Sequence, residues 1–437
     1  MKKTLLTICL VWMCFSLSAQ KIIDLSGKWS FSIDRQDNGE KEKWFSHTLN
    51  DFINLPGSMP EKQKGDEVTA KTQWTGSLYD SSYYYNPYME KYRKEGNIKF
   101  PFFLTPDKHY VGAAWYQKEV NIPADWKGER ILLFLERPHI ETTVWVNGQK
   151  TGMQNSLCVP HQYDITHYVR PGKCTITIRV DNRIKEINVG PDSHSITDQT
   201  QGNWNGIVGR ICLQTTPKTY FDDIQIYPEP EQKLARVKVV IKGAGITKIK
   251  LSAESFNTDK KHIVPAIQQE IKLNKGVTET EMVLPMGNDM LLWDEFHPAL
   301  YKLKAEVTNG KKTEIKEIQF GMRRFEIKGK WFYVNGRKTQ LRGTVENCDF
   351  PLTGYAPMDV ESWERVFRIC RSYGLNHMRF HSFCPPEAAF MAADRVGFYL
   401  QPEGPSWPNH GPKLGLGQPI DTYLMNETIA LTKEYGN

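Results

Sequence analysis

Residues 376–407 constrain the fold most, because they spell strand, helix and strand in one short run. His377-Met378-Arg379-Phe380-His381 has the length of a strand. Pro385 and Pro386 set the backbone for a first helical turn, where a missing N–H costs nothing. Glu387 to Val396 is rich in Ala, Met and Phe, which are compatible with a helix, and Gly397 can stop it in the left-handed conformation. Phe398 to Gln401 is a short apolar run that reads as a fully buried strand. Strands joined this way run parallel, with a right-handed crossover. Arg379 and His381 then close one strand, and Glu403 lies just past the end of the next. Ligands of parallel α/β sheets and barrels meet the carboxyl ends of strands. These three residues are therefore candidate site residues, and Trp407, which ends the stretch, is counted with them.

The 437 residues leave room for about three domains. From Lys21 the chain reads as short strands broken by Gly, Pro and Asn. Ile131 to Leu135 is continuously apolar. Val144-Trp145-Val146 runs into Asn147-Gly148, a pair that favours the primed hairpin turn. Cys174, Ile176, Ile178 and Val180 alternate with polar residues. This pattern predicts an all-β jelly-roll sandwich over residues 21–228. Pro228-Glu229-Pro230-Glu231 reads as a stiff linker. Residues 229–322, with Tyr301, Leu303, Ala305 and Val307 alternating, suit a small immunoglobulin-like sandwich. A second Asn-Gly turn at Asn335-Gly336 opens residues 323–437. Leu341 to Gly343 is expected as the first parallel strand. Asp359 can cap a helix whose apolar face is Val360, Trp363, Val366, Phe367, Cys370 and Tyr373, ending at Gly374. A third helix is expected from Asp421 to Tyr435, with Leu424, Leu431 and Tyr435 along one side.

The wording of the chain resembles glycoside hydrolase family 2, the group of β-galactosidases, β-glucuronidases and β-mannosidases. Trp115-Tyr116-Gln117-Lys118, Val144-Trp145-Val146-Asn147-Gly148, Asp164-Ile165-Thr166, Val180-Asp181-Asn182 and Gly206-Ile207-Val208-Gly209-Arg210 occur in family order. Phe320-Gly321-Met322-Arg323-Arg324-Phe325-Glu326 resembles the family's opening of its catalytic barrel. The resemblance implies that residues 323–437 are the first three βα units of an incomplete TIM (β/α)8 barrel, since a whole one takes about 250 residues. It implies a retaining exo-β-glycosidase whose acid/base and nucleophile Glu residues both lie beyond Asn437, so that this chain alone is inactive. Arg342, Arg379, His381 and Glu403 would position the sugar. Asp198, Asn203 and Trp204, on a loop similar to the one that reaches the barrel in the family, are further expected contacts. Where the best-known members carry Ser-His-Tyr-Pro after the strand-two Arg, this chain has His381-Ser382-Phe383-Cys384-Pro385, with the histidine moved by one place. Glu403 is followed by Gly404 and Pro405 rather than by a His two residues on, so the magnesium site of the well-known β-galactosidases is not expected, nor any other cofactor.

Lys2-Lys3, the apolar run Leu5 to Leu17 and Ser18-Ala19 read as a secretory signal peptide over residues 1–20. An exported protein, periplasmic or extracellular, follows. No later stretch is apolar enough to span a bilayer. The formal charge is +6, or +4 once Lys2 and Lys3 are removed. It is evenly spread, which speaks against nucleic acid as a partner. The expected partner is an oligosaccharide or glycoside. Six cysteines remain after the leader, with no spacing that dictates a disulfide framework or a zinc ribbon. Gly415-Leu416-Gly417 lacks the third glycine of a dinucleotide loop, and no Gly-x-Ser-x-Gly elbow occurs. The aromatics between Trp74 and Tyr110 fit either a self-packing insertion or a sugar-stacking surface. The alternative to a glycosidase is a non-catalytic carbohydrate-binding or structural protein derived from the same family.

Overall fold

Asn147 and Gly148 take φ values of 51° and 78°, and Asn335 and Gly336 take 50° and 77°. These are the positive angles a two-residue primed turn requires. Each pair accordingly closes a hairpin, Glu141–Val146 with Gln149–Gln154 and Trp331–Val334 with Arg337–Thr339. The computed structural model describes residues 21–436 apart from 77–80, 103, 201 and 410. The leader read over residues 1–20 and the aromatics Tyr79 and Phe103 lie outside the described residues.

The first domain is two antiparallel sheets face to face. One runs Ile22–Asp24, Gly206–Thr216, Arg130–His139, His161–Asp164, with Gly57–Ser58 also on Gly206–Thr216. The other runs Gln149–Gln154, Glu141–Val146, Gly172–Asp181, Ala113–Ile122, Gly27–Asp34, Asp51–Leu55. Because strand side chains alternate, Cys174, Ile176, Ile178 and Val180 all point inward and are buried with Leu133, Leu135, Ile211 and Leu213. The expected jelly-roll layering is what this packing gives. Within the aromatic insertion, Trp74, Phe100, Phe102 and Tyr83 pack on one another, while Tyr84, Tyr85 and Tyr88 face solvent.

The second domain begins earlier than its composition indicated. Tyr220–Glu229 pairs along its length with Leu234–Phe256. Pro228-Glu229-Pro230-Glu231 is therefore the end of a strand and a hairpin turn, with Lys233 left-handed at φ 55°, and not a linker. The boundary falls near residue 218. Leu234–Phe256 is 23 residues long and shifts register between Gly243 and Gly245, whose φ values are 155° and 87°. That bend sends its first half to Tyr220–Glu229 and its second half to Leu300–Asn309, so one strand serves both layers.

The third part holds a three-stranded parallel sheet, Gly343–Glu346, His377–Phe380, Tyr399–Gln401. Asp359 caps the helix Val360–Ser372 by accepting from the Ser362 N–H at 2.8 Å. Gly397 ends Glu387–Val396 at φ 75°, ψ 53°. Ala388, Ala389, Ala392 and Ala393 have short side chains, which lets this helix sit close on Trp363, Phe367 and Phe398. Two expectations need correction here, the first because Tyr373 lies just past the end of Val360–Ser372 and is exposed instead of joining its buried face. Tyr399–Gln401 is only half-buried, because as an edge of this sheet it has a neighbour on one side only. The last helix, Pro419–Tyr435, buries Ile420, Tyr423 and Glu427 most deeply, on the same side as the expected Leu424 and Tyr435, which pack beside them. It packs on Leu157, Val189 and Ile196 of the first domain.

Candidate functional site

The register of the parallel sheet sets Arg379 opposite Gln401. With a side-chain period of two, Arg379 and His381 share a face, and Glu403 comes up beside them. The Arg379 Nε donates to Glu403 Oε1, and Ser382 N donates to Glu403 Oε2 at 2.7 Å. Burial pushes the Glu403 carboxyl up, but the Arg379 guanidinium and the Ser382 N–H outweigh it and hold it below the usual carboxylate range. Both partners are partly exposed. A pair of that kind contributes about 0–1 kcal/mol to stability. Its consequence is positional, since it fixes the guanidinium at the strand end.

Ser382 is left-handed, with φ 46°. That conformation lets it serve a loop of the first domain as well as Glu403. Its Oγ accepts from His194 N at 2.9 Å, and its carbonyl accepts from Ser195 Oγ at 2.7 Å. Ser193 Oγ donates to Pro405 O at 2.7 Å, and Trp407 N donates to Val189 O at 3.0 Å. The loop is held at its root by Asp181, which is fully buried and paired with Arg179, Arg183 and Lys185. Asn182 adds a clamp, donating to Asn203 Oδ1 at 3.0 Å. Gly190 is required where the loop meets the third part, because a Cβ there would lie 2.0 Å from Trp407 O.

The result is a corner of three rings above the strand ends. His194 lies 4.5 Å from His381 and 5.5 Å from Trp407, nearly parallel to the indole, and His381 lies 4.8 Å from Trp407. Burial, with His381 and Arg379 nearby, lowers His194 to about 4. Burial and Arg379 also lower His381. The corner thus offers one fixed cation–carboxylate pair, two imidazoles that are neutral at pH 7 and an indole face. Such a set can hydrogen-bond hydroxyl groups and cover an apolar ring face. An NMR titration should find the His194 ring neutral from pH 5 to 8, with protonation near pH 4. A midpoint near 6.5 would show that the ring is solvated and the corner open.

Other expected residues lie elsewhere. Arg342 precedes its strand instead of belonging to it, so it sits at the amino end. Its Nε donates to Gly374 O at 2.7 Å, and its Nη2 reaches Glu295 at 3.4 Å. Asp198 accepts from Thr75 N and from Gly76 N and meets His109. Asn203 bonds Thr75 and Asn182. These two tie the aromatic insertion to the loop. Trp204 stacks on His139 at 4.8 Å and meets Tyr355 at 5.8 Å. None of the four joins Arg379 through these contacts. Of the residues that do join it, Ser193, His194 and Ser195 carried no periodicity or motif, and Ser382 stood out only as part of the departure from Ser-His-Tyr-Pro. Glu346, at the true carboxyl end of the first parallel strand, was also missed. Burial raises its carboxyl to about 6, against the N–H groups of Asp349, Cys348 and Asn347. Among the described residues, no group of three or more His, Cys, Asp or Glu side chains is gathered as a metal site.

Comparison with known proteins bears on this arrangement. The family model described as "Glycosyl hydrolases family 2, sugar binding domain" matches residues 22–217, and "Glycosyl hydrolases family 2" matches residues 219–323. A β-galactosidase of Thermoanaerobacter pseudethanolicus is 25% identical over 334 residues, 72% of this chain and 42% of that protein. Human β-glucuronidase is 24% identical over 417 residues, 87% of this chain and 57% of that protein. The chain thus spans about half the length of these relatives. A crystal structure of a glycosyl hydrolase family 2 member from Bacteroides cellulosilyticus superposes with a TM-score of 0.68 at 18% identity, covering 95% of this chain and 51% of that one. A β-glucuronidase of Ruminococcus gnavus in complex with D-glucaro-d-lactam gives 0.67 at 20% identity, covering 96% and 65%.

Proposed function

This chain belongs to glycosyl hydrolase family 2, and from that membership we propose that it supplies the sugar-recognising part of a retaining exo-β-glycosidase. In such an enzyme one carboxylate attacks the anomeric carbon while a second carboxylic acid protonates the leaving oxygen, and water then releases the sugar. We assign neither role to a residue of this chain. The acid/base and the nucleophile come from residues beyond 437, on later strands of a barrel whose first three βα units are residues 323–437. Here Arg379, His381, Glu403, Trp407 and His194 hold the non-reducing-end sugar.

The observation that carries this reading is the ring corner and ion pair, set at the carboxyl ends of parallel strands and covered by a first-domain loop. Two neutral imidazoles and an indole suit a pyranose, which presents hydroxyls at its edge and C–H groups on its face. The leader implies that the enzyme meets its glycoside outside the cytoplasm. A panel of nitrophenyl β-glycosides assayed against the full-length gene product tests the reading. Nitrophenol release from at least one of the galactoside, glucuronide and mannoside is expected. No release from any of them would favour a binding protein without catalysis.

A further inference from the structure

We propose that Arg137 and Glu427 are positioning residues, which grip one peptide group between them and so set the loop carrying His381 and Ser382 against the first domain. The role rests on the sugar site proposed above and extends it to two residues that touch no sugar. Arg137 lies on the strand Arg130–His139, and Glu427 on the last helix, Pro419–Tyr435. They meet at the peptide group between Leu157 and Cys158, in the segment joining Gln149–Gln154 to His161–Asp164. Arg137 Nη1 donates to the Leu157 carbonyl at 2.6 Å. Glu427 Oε2 accepts from the N–H of the same peptide group, Cys158 N, at 3.1 Å, and also from Leu157 N at 3.0 Å. A peptide group is a dipole of about 3.5 D with its carbonyl as the negative end. The guanidinium therefore sits at the negative end and the carboxyl at the positive end, and each polarises the bond that the other makes.

The same guanidinium reaches the site. Arg137 Nη2 donates to Pro385 O at 3.2 Å. Pro385 is three residues past Ser382, whose N–H holds Glu403 and whose Oγ and carbonyl hold the first-domain loop. A planar guanidinium carries its donors in fixed directions, so the carbonyls of Leu157 and Pro385, from two different domains, are held in one geometry. A lysine ammonium on its flexible stem cannot reproduce that fork. Glu427 is only 5% exposed. Its helix grips the same first-domain segment at two further points, Tyr423 Oη donating to Asn155 O at 2.9 Å and Tyr435 Oη to Cys158 O at 3.3 Å. A run of bonds thus leads from the last helix, through one peptide group and one guanidinium, to the loop at the strand ends. On the glycosidase reading the reacting carboxyls follow this helix in the chain, and the run sets them in one frame with the residues that hold the sugar.

The test pairs hydrogen–deuterium exchange with steady-state kinetics on the full-length gene product. In Arg137→Met, amides of residues 190–196 and 381–386 should exchange at least about tenfold faster than in the wild type, because local opening there loses its brace. On an aryl glycoside kcat should fall at least about tenfold with a smaller change in KM, since misplacing positioned groups by about 1 Å costs turnover on that scale or more. Arg137→Lys should behave like Arg137→Met, because charge without the fork does not join the two carbonyls. Glu427→Gln keeps one acceptor and should give the same pattern in milder form. The double variant Arg137→Met, Glu427→Gln should be no worse than Arg137→Met alone, as for two residues acting through one peptide group. Lys312→Met, which breaks the partly exposed Lys312–Glu129 pair between the first two domains, should leave both readouts unchanged. Wild-type exchange and turnover in Arg137→Lys would overturn the proposal. So would effects that multiply in the double variant, or a lowered melting temperature with normal exchange at residues 381–386. A wild-type product that hydrolyses no glycoside would refute the glycosidase reading, and the exchange rates would then decide the role of Arg137 by themselves.

Discussion

Arg379→Ala in the full-length gene product is expected to lower kcat/KM on its best aryl glycoside at least about 100-fold, the scale of losing one fixed electrostatic contact in a transition state. Stability should hardly change. The Arg379–Glu403 pair is partly open to water on both sides, so its loss costs about 0–1 kcal/mol. Glu403 keeps its bond from the Ser382 N–H, and the strand that carries Arg379 is anchored by its own ladder to both neighbours. A large fall in activity with a nearly unchanged melting temperature therefore identifies a group that acts on substrate. The measurement pairs steady-state kinetics with thermal unfolding. Normal turnover with lowered stability would show instead that Arg379 only braces the sheet.

Much of this arrangement was legible in the residues. The two Asn-Gly turns, the capped helix after Asp359 and the stop at Gly397 follow from local backbone chemistry, which tertiary context did not override. Arg379, His381 and Glu403 were legible because a strand–helix–strand run fixes which ends of its strands lie together. Arg342 was misplaced for the converse reason. The strand begins at Gly343, and the Arg342 N–H is taken by Asn376 Oδ1 instead of a ladder partner. A difference of two residues moved it to the opposite end of the sheet. Pro228 and Pro230 read as a linker because proline discourages strand pairing. Here they fall at a strand end and a turn, where a missing N–H is harmless. The loop at residues 189–195 was not legible at all. Its serines and His194 matter through contacts with Ser382 and Pro405 some 200 residues away, and no local period records such a contact. The inward position of Glu427 on Pro419–Tyr435 was hidden similarly. Glu427 looks like a solvated helix residue until the Leu157 and Cys158 N–H groups are found against it.

If these residues hold a sugar while the reacting carboxyls come from elsewhere, as proposed, residues 21–437 by themselves should bind without hydrolysing. Retaining hydrolysis needs two carboxyl groups about 5–5.5 Å apart across one glycosidic bond, one ionised and one protonated. The parallel strands carry Glu346 and Glu403 at or just past their carboxyl ends. Glu403 is committed to Arg379 and Ser382 and stays ionised. Glu346 is turned to the N–H groups of its own loop. Neither is free to attack an anomeric carbon, and positioning groups alone leave the aglycone oxygen unprotonated. Purified residues 21–437 should therefore release no nitrophenol above background from any aryl β-glycoside that the full-length product hydrolyses. Turnover by this chain, abolished by Glu403→Gln, would contradict the account, because it would make Glu403 a catalytic carboxylate instead of the partner that holds Arg379 in place.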